Sequence, residues 1–296
     1  MYRYTILLPA FLLLSGCGGD GGGEEKGNTD QGGSITPKSV AINFNATIGD
    51  EALDCGSTYH NVGAGNSDLN VKDFRFYVHN LRLVTDTGTE VSMTLDSNVW
   101  QAQGVALLDF EDATGSCTGN TETHTAITGS VPDGSLTFTG LRFTVGIPEE
   151  LNHLEQATVS PFNVINLNWG WTSGYKFMRL DVIPNGGVDL ASWNFHLGSQ
   201  NCSLPANSTV ATCQNSNRAE ISLNNFDTDK NSVRLDYGAL VLNNDIGTDT
   251  GGNKGCMSGL TDPECNEIFT QLGLDLATGE NAFSQHVFSV VWSSGN

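Results

Sequence analysis

The sequence predicts an all-β protein, an antiparallel β-sandwich with long loops, short helical segments and disulfides. Three observations predict it. Short runs alternate apolar with polar residues, clusters of Gly and Asn separate the runs, and six cysteines remain once one near the start is set aside.

The segment 1–17 reads as a lipoprotein signal peptide. Arg3 supplies a positive charge, residues 5–14 are mostly apolar, and Leu14-Ser15-Gly16-Cys17 fits the bacterial lipobox. The run is too short to span a bilayer. Cleavage before Cys17 and acylation of that residue would leave a lipid anchor, and several acyl chains hold where one holds weakly. Gly18 argues for the outer membrane, on its periplasmic face or the cell surface. Residues 18–37, rich in Gly, Asp, Glu and Asn, read as a flexible acidic tether. The folded part is expected as one domain over 38–296, with no composition break to divide it.

Charge narrows the function. Thirteen Lys and Arg stand against 33 Asp and Glu, a net charge of −20. That balance argues against a nucleic-acid role, because phosphate binding needs clustered basic side chains. No phosphate loop, Gly-x-Ser-x-Gly elbow, His-Glu-x-x-His or haem-attachment motif is present, and the sequence reads as an enzyme's substrate rather than an enzyme. Asp227-Thr228-Asp229-Lys230-Asn231 starts like a calcium loop, but Ser232 and Gly238 stand where Gly and Glu are needed, so it reads as a solvated turn.

Strands are expected at Val40-Ala41-Ile42-Asn43-Phe44, Phe74-Arg75-Phe76-Tyr77-Val78, Leu81-Arg82-Leu83-Val84, Leu136-Thr137-Phe138 and Leu141-Arg142-Phe143-Thr144-Val145. Helical pieces are expected near 148–154 and 263–272, each opening on a proline. In an oxidising compartment the even set of cysteines predicts disulfides. Cys202 with Cys213 and Cys256 with Cys265 bracket short polar loops, which leaves Cys55 to Cys117. In that compartment disulfides are favoured over a thiolate metal site, which would want close Cys-x-x-Cys spacing, and none occurs.

Two stretches carry candidate chemistry. In Ile165-Asn166-Leu167-Asn168-Trp169-Gly170-Trp171 the alternation predicts that both tryptophans share one face. Among the histidines, His196 lies on an alternating run, Trp193-Asn194-Phe195-His196, and His153 closes the segment opened by Pro148. His79 stands opposite Val78, towards solvent, and His60, His124 and His286 lack a supporting pattern. Met257, beside Cys256, is a candidate thioether ligand.

These stretches, with Phe74-Arg75-Phe76-Tyr77-Val78, Leu107-Leu108-Asp109-Phe110-Glu111, Val145-Gly146-Ile147-Pro148, Asn152-His153, Gly174-Tyr175-Lys176-Phe177-Met178-Arg179-Leu180-Asp181, Phe195-His196-Leu197-Gly198-Ser199 and Gly255-Cys256-Met257-Ser258-Gly259, form an ordered series. The series resembles the four-Cys-motif half of the metallo-mystery pair, the MbnP-like family, over most of 40–290. The resemblance implies a secreted β protein that binds one copper ion and is paired with a dihaem protein of the MauG and cytochrome c peroxidase type. It implies that the partner oxidises the first Trp of Trp-x-Trp, here Trp169, to a kynurenine that joins the copper site. It matches Cys202, Cys213, Cys256 and Cys265 to the family's four cysteines, and it carries His196 and His153 over as ligands.

The chemistry gives a reason for the modification. An indole nitrogen donates a hydrogen bond but has no free lone pair, whereas ring opening creates an aniline amine and a ketone. Amine, imidazole and thioether together favour Cu(I), and copper homeostasis is the expected role. The competing reading is a surface module that stacks Trp100, Trp169, Trp171 or Trp193 on sugars or proteins without metal.

Overall fold

The alternation at 40–44 extends into an eleven-residue strand, Lys38–Ile48, in which Val40, Ile42, Phe44, Ala46 and Ile48 are buried. The computed structural model describes residues 36–153, 159–164, 166–185, 190–206, 208 and 210–293. The lipobox and all but the last two residues of the tether lie outside them. Among the described residues no helix is long and apolar enough to cross a membrane.

The first sheet is built around Lys38–Ile48, which runs antiparallel to Ala126–Val131 and parallel to Asn231–Asp236. Thr94–Leu95 and Phe288–Trp292 extend it on the two sides. The second sheet has a 19-residue spine, Ser67–Thr85, into which two expected runs merge. Its order is Ala219–Asn224, Phe138–Val145, Ser67–Thr85, Met178–Pro184, Trp193–Leu197 and Gly255–Cys256. The last pairing is parallel, so the strand carrying His196 and the segment leading to Met257 run side by side in one direction.

The sheets pack face to face through aromatics. Phe44 of the first meets Phe76 at 6.2 Å and Phe143 at 5.6 Å, edge on, and Phe288 of the first meets Phe143 at 5.4 Å. Rings in this arrangement add about 0.5–1.5 kcal/mol per pair beyond area burial. This is a β-sandwich. The second sheet's other face is covered too, because Tyr77 stacks on Phe162 at 6.3 Å and its hydroxyl donates to the Pro161 carbonyl at 2.8 Å.

Helices Glu149–Asn152 and Cys265–Gln271 follow Pro148 and Pro263. A third, Tyr237–Leu240, escaped the sequence reading; Asp236 caps it, accepting from the Gly238 and Ala239 amides. All three disulfides form: Cys55–Cys117, Cys202–Cys213 and Cys256–Cys265. Cys202 and Cys213 are directly opposed in a hairpin of Gln200–Ser203 and Thr212–Asn215. Asp227 accepts from the Asp229 amide and the Lys230 ammonium, which makes its segment a turn.

Candidate metal centre

The polar face of the second sheet builds one wall of the site. Register aligns Asp109, Arg75, Arg179 and His196 in one row across four strands, with Asp73, Asp181 and Asn194 in the adjacent row. Their side chains form a buried chain of alternating charge. Arg75 Nε donates to Asp73 at 2.8 Å, Arg179 Nη1 reaches Asp73 at 3.0 Å, Arg179 Nε reaches Asp181 at 2.9 Å, and His196 Nε2 lies 2.8 Å from Asp181 Oδ1. Arg75 also faces Glu111 at 4.0 Å.

This chain sets the state of His196. A carboxylate can only accept, so Nε2 carries the proton, and in the neutral ring the lone pair sits on Nδ1. Burial pushes the imidazole's pKa down despite the Asp181 carboxylate, which favours that neutral form. Burial works to raise Asp181, but the hydrogen bond from His196 and the Arg179 charge outweigh it, and its carboxyl ends below the usual value. Nδ1 is buried and has no hydrogen-bond partner among the described residues. An orphaned buried acceptor costs about 1–3 kcal/mol, a cost that a ligand would relieve.

Met257 comes to the same wall by register. Asn194 pairs with Gly255 and Phe195 with Cys256, and just past Met257 the Ser258 Oγ donates to the His196 carbonyl at 3.0 Å. The Cys256–Cys265 bond anchors the segment to a helix.

The facing wall is the hairpin of Asn168–Gly170 and Gly174–Tyr175. Gly170 has φ +123°, open to glycine and strained for other residues, and the chain turns there. The two tryptophans therefore do not share a face as the alternation predicted. Trp169 is half-buried with its ring 6.4 Å from that of His196, whereas Trp171 is turned outward, 43% exposed. Gly198 permits the approach, since a Cβ there would lie 2.3 Å from the Trp169 ring. Trp169, Met257, Cys202, Ser199, Asn201 and Asn253 are among the residues lining a cleft of about 570 Å³.

His153 is held differently. Its Nδ1 lies 3.0 Å from the Trp171 carbonyl, which requires a proton on that nitrogen. Asn152 Nδ2 lies 3.3 Å from Nε2 and Cys213 Sγ is also at 3.3 Å. His153, Cys202 and Cys213 place donor atoms within 4.8 Å of one another, but the sulfurs are bonded to each other and offer no thiolate.

Several expectations change. Trp193 is fully buried and cannot stack on a ligand, and Trp100 stacks on His124 at 5.4 Å. His79 does not face solvent; its Nδ1 meets the Gly146 carbonyl at 2.8 Å, and burial lowers its pKa. His60 pairs with Asp68 at 2.9 Å, outside the cleft lining. The residues that sequence reasoning missed are Asp73, Arg75, Arg179 and Asp181. Their signal was the Asp-x-Arg and Arg-x-Asp spacing of 73–75 and 179–181, which puts acid and base on one face of each strand and, in register, diagonally across the pair.

The sequence profile of the MbnP family matches residues 37–258. The chain belongs to the MbnP family. A solved structure, MbnP from Methylosinus trichosporium, is similar with a TM-score of 0.80 and 30% identity, over 88% of this chain and 100% of that one. No curated protein matches. The MbnP-like likeness covers both walls of the cleft, since Trp169, His196 and Met257 fall within the matched residues.

Proposed function

We propose that the protein is an exported, lipid-anchored copper-binding protein that holds one Cu(I) in the cleft between Trp169, His196 and Met257. The observation that carries this reading is a cleft lined by a thioether beside a disulfide and by an indole laid on a glycine, with the buried imidazole of His196, whose Nδ1 lacks a partner among the described residues, 6.4 Å behind the indole ring. Imidazole and thioether suit Cu(I). The residues fit the metal only in part, because unmodified indole has no lone pair to offer. Conversion of Trp169 to kynurenine by a dihaem MauG-like partner would supply an amine and a ketone at that wall. Two oxygen atoms, drawn from dioxygen or peroxide at the partner's haem, would open the ring to N-formylkynurenine, and water would then hydrolyse the formyl group to formate, a net exchange of one carbon for one oxygen. Asp181 holds Nε2 and so turns the lone pair of His196 Nδ1 away from itself. His153, with both nitrogens engaged, supports the Trp171 end of the hairpin and is the weaker candidate for a ligand. Anchoring at Cys17 in the outer membrane would place the site in the periplasm or at the cell surface, and the role fits copper homeostasis.

Native protein tests the reading by mass and metal content. A peptide containing Trp169 should be about 4 Da heavier, with Trp171 unchanged, and the protein should retain one copper. Trp169→Phe should fold and fail to retain copper. His196→Ala should weaken copper by about a hundredfold or more, near 2.7 kcal/mol, and His153→Ala by about threefold or less. Tight copper binding by Trp169→Phe would overturn the role of the indole position. Equal losses in the two histidine variants would restore His153 as a ligand.

A further inference from the structure

We propose that His153, Cys202 and Cys213 form a second metal site, closed while the disulfide is intact and opened by a dithiol reductant. It stands apart from the copper reading, because neither Trp169 nor His196 contributes to it.

The three donors already converge. Cys213 Sγ lies 3.3 Å from His153 Nε2, and all three donor atoms lie within 4.8 Å of one another. The imidazole is pre-set for coordination. Its Nδ1–H donates to the Trp171 carbonyl, so the Nε2 lone pair is turned towards the sulfur. The neutral donor there is Asn152 Nδ2 at 3.3 Å, a long contact that a metal can displace. A buried imidazole with its far nitrogen fixed by a carbonyl is the usual arrangement of a metal-binding histidine.

Access separates this disulfide from the other two. Cys55, Cys117, Cys256 and Cys265 are buried, whereas Cys202 and Cys213 are partly exposed and Cys202 lines the cleft. A reductant therefore reaches the hairpin bond first. Exchange with a dithiol forms the reductant's own disulfide and leaves two thiols on the protein. Binding a cation then releases two protons and gives two thiolates and one imidazole, a donor set for Zn(II) or Cu(I) with one position open. The hairpin need not unravel. Gln200 and Ser203 remain paired with Asn215 and Thr212, Asn201 Nδ2 donates to Asn215 Oδ1 at 2.7 Å, and Asn215 Nδ2 donates to the Ala277 carbonyl at 2.7 Å.

The test titrates Zn²⁺ into the full mature chain, oxidised or briefly treated with a dithiol that is then removed, against a chromophoric chelator. Alkylation and peptide mapping record which cysteines have opened. The treated protein should expose only Cys202 and Cys213 and bind one Zn²⁺ that the oxidised protein does not. His153→Ala should weaken that binding tenfold or more, and Cys202→Ser/Cys213→Ser should abolish it with the near-ultraviolet circular dichroism of the fold retained. Equal Zn²⁺ binding in the oxidised and reduced forms overturns the proposal. So does undiminished binding in either variant, or opening of the buried disulfides before the hairpin.

Discussion

Two histidines flank the same hairpin, and their surroundings differ in one decisive respect. His196 gives one nitrogen to a carboxylate and keeps the other without a partner among the described residues, whereas His153 has a carbonyl at one nitrogen and, at the other, an amide, a sulfur and the Glu149 carboxylate at 4.0 Å. Both are buried and both lie in motifs of similar look. The difference teaches that the partner of the second nitrogen, more than the motif, decides whether an imidazole is free to take a ligand. Behind His196 stands a chain of buried charges rooted in the sheet; behind His153 stand a backbone carbonyl and a hairpin.

The sharpest way to break the comparison is to cut the charge chain. Asp181→Ala leaves Arg179 without one of its two carboxylates and His196 without the one it meets among the described residues. Removing one partner of a buried charge pair costs about 3–5 kcal/mol. Urea unfolding should show a loss of that size, and the ring, no longer fixed, should also bind copper more weakly. A loss under about 1 kcal/mol would mean that solvent or the other charges already hold the network together.

A smaller effect is expected at the far end of the chain. Asp109 Oδ1 accepts from the Glu111 amide at 3.2 Å while Oδ2 is buried with no partner among the described residues. Burial, against the pull of Arg75, raises its pKa to about 8 from the ordinary 3.8. The folded protein therefore keeps a proton that the unfolded chain releases. That contribution to stability is fully present below about pH 4 and is lost as pH rises through about 8. Asp109→Asn has no such proton to lose. Its melting temperature should fall by fewer degrees than the wild type's between about pH 5 and pH 8. An identical fall in both proteins would show that Asp109 ionises normally.

Much of this architecture was legible. Val40 to Phe44 alternate and become a strand with one buried face, and Pro148 and Pro263 open the helices where a fixed φ is tolerated. Two disulfides followed from short spacing, and Cys55–Cys117 from the even number that left those two over. What resisted reading was burial on both faces of one strand. Phe74-Arg75-Phe76 alternates like a half-exposed strand, yet Arg75 is buried, because its guanidinium is held by Asp73 and faces Glu111, and the loop carrying Phe162 covers Tyr77, the next residue on that face. Alternation reports which side a residue takes; it does not report whether that side meets water. Trp169 and Trp171 failed for a local reason, since one glycine at positive φ ends the strand between them.

That glycine also sets the last and smallest effect. Trp171 lies beside Trp169 in sequence and holds His153, but it does so through its carbonyl, while its side chain is 43% exposed. If the comparison between the two histidine regions is right, the hairpin is fixed at this corner by backbone and by His153, and the Trp171 ring adds little. Trp171→Ala should then cost under about 1 kcal/mol in stability and change copper affinity by about threefold or less, near 0.7 kcal/mol. Trp171→Pro should do far more. It forces φ near −65° beside Gly170 and removes an amide from the turn while keeping the carbonyl that His153 uses. A large loss of copper in Trp171→Ala would transfer the work from the backbone to the ring, and the His153 corner would then belong to the metal site as fully as the His196 wall.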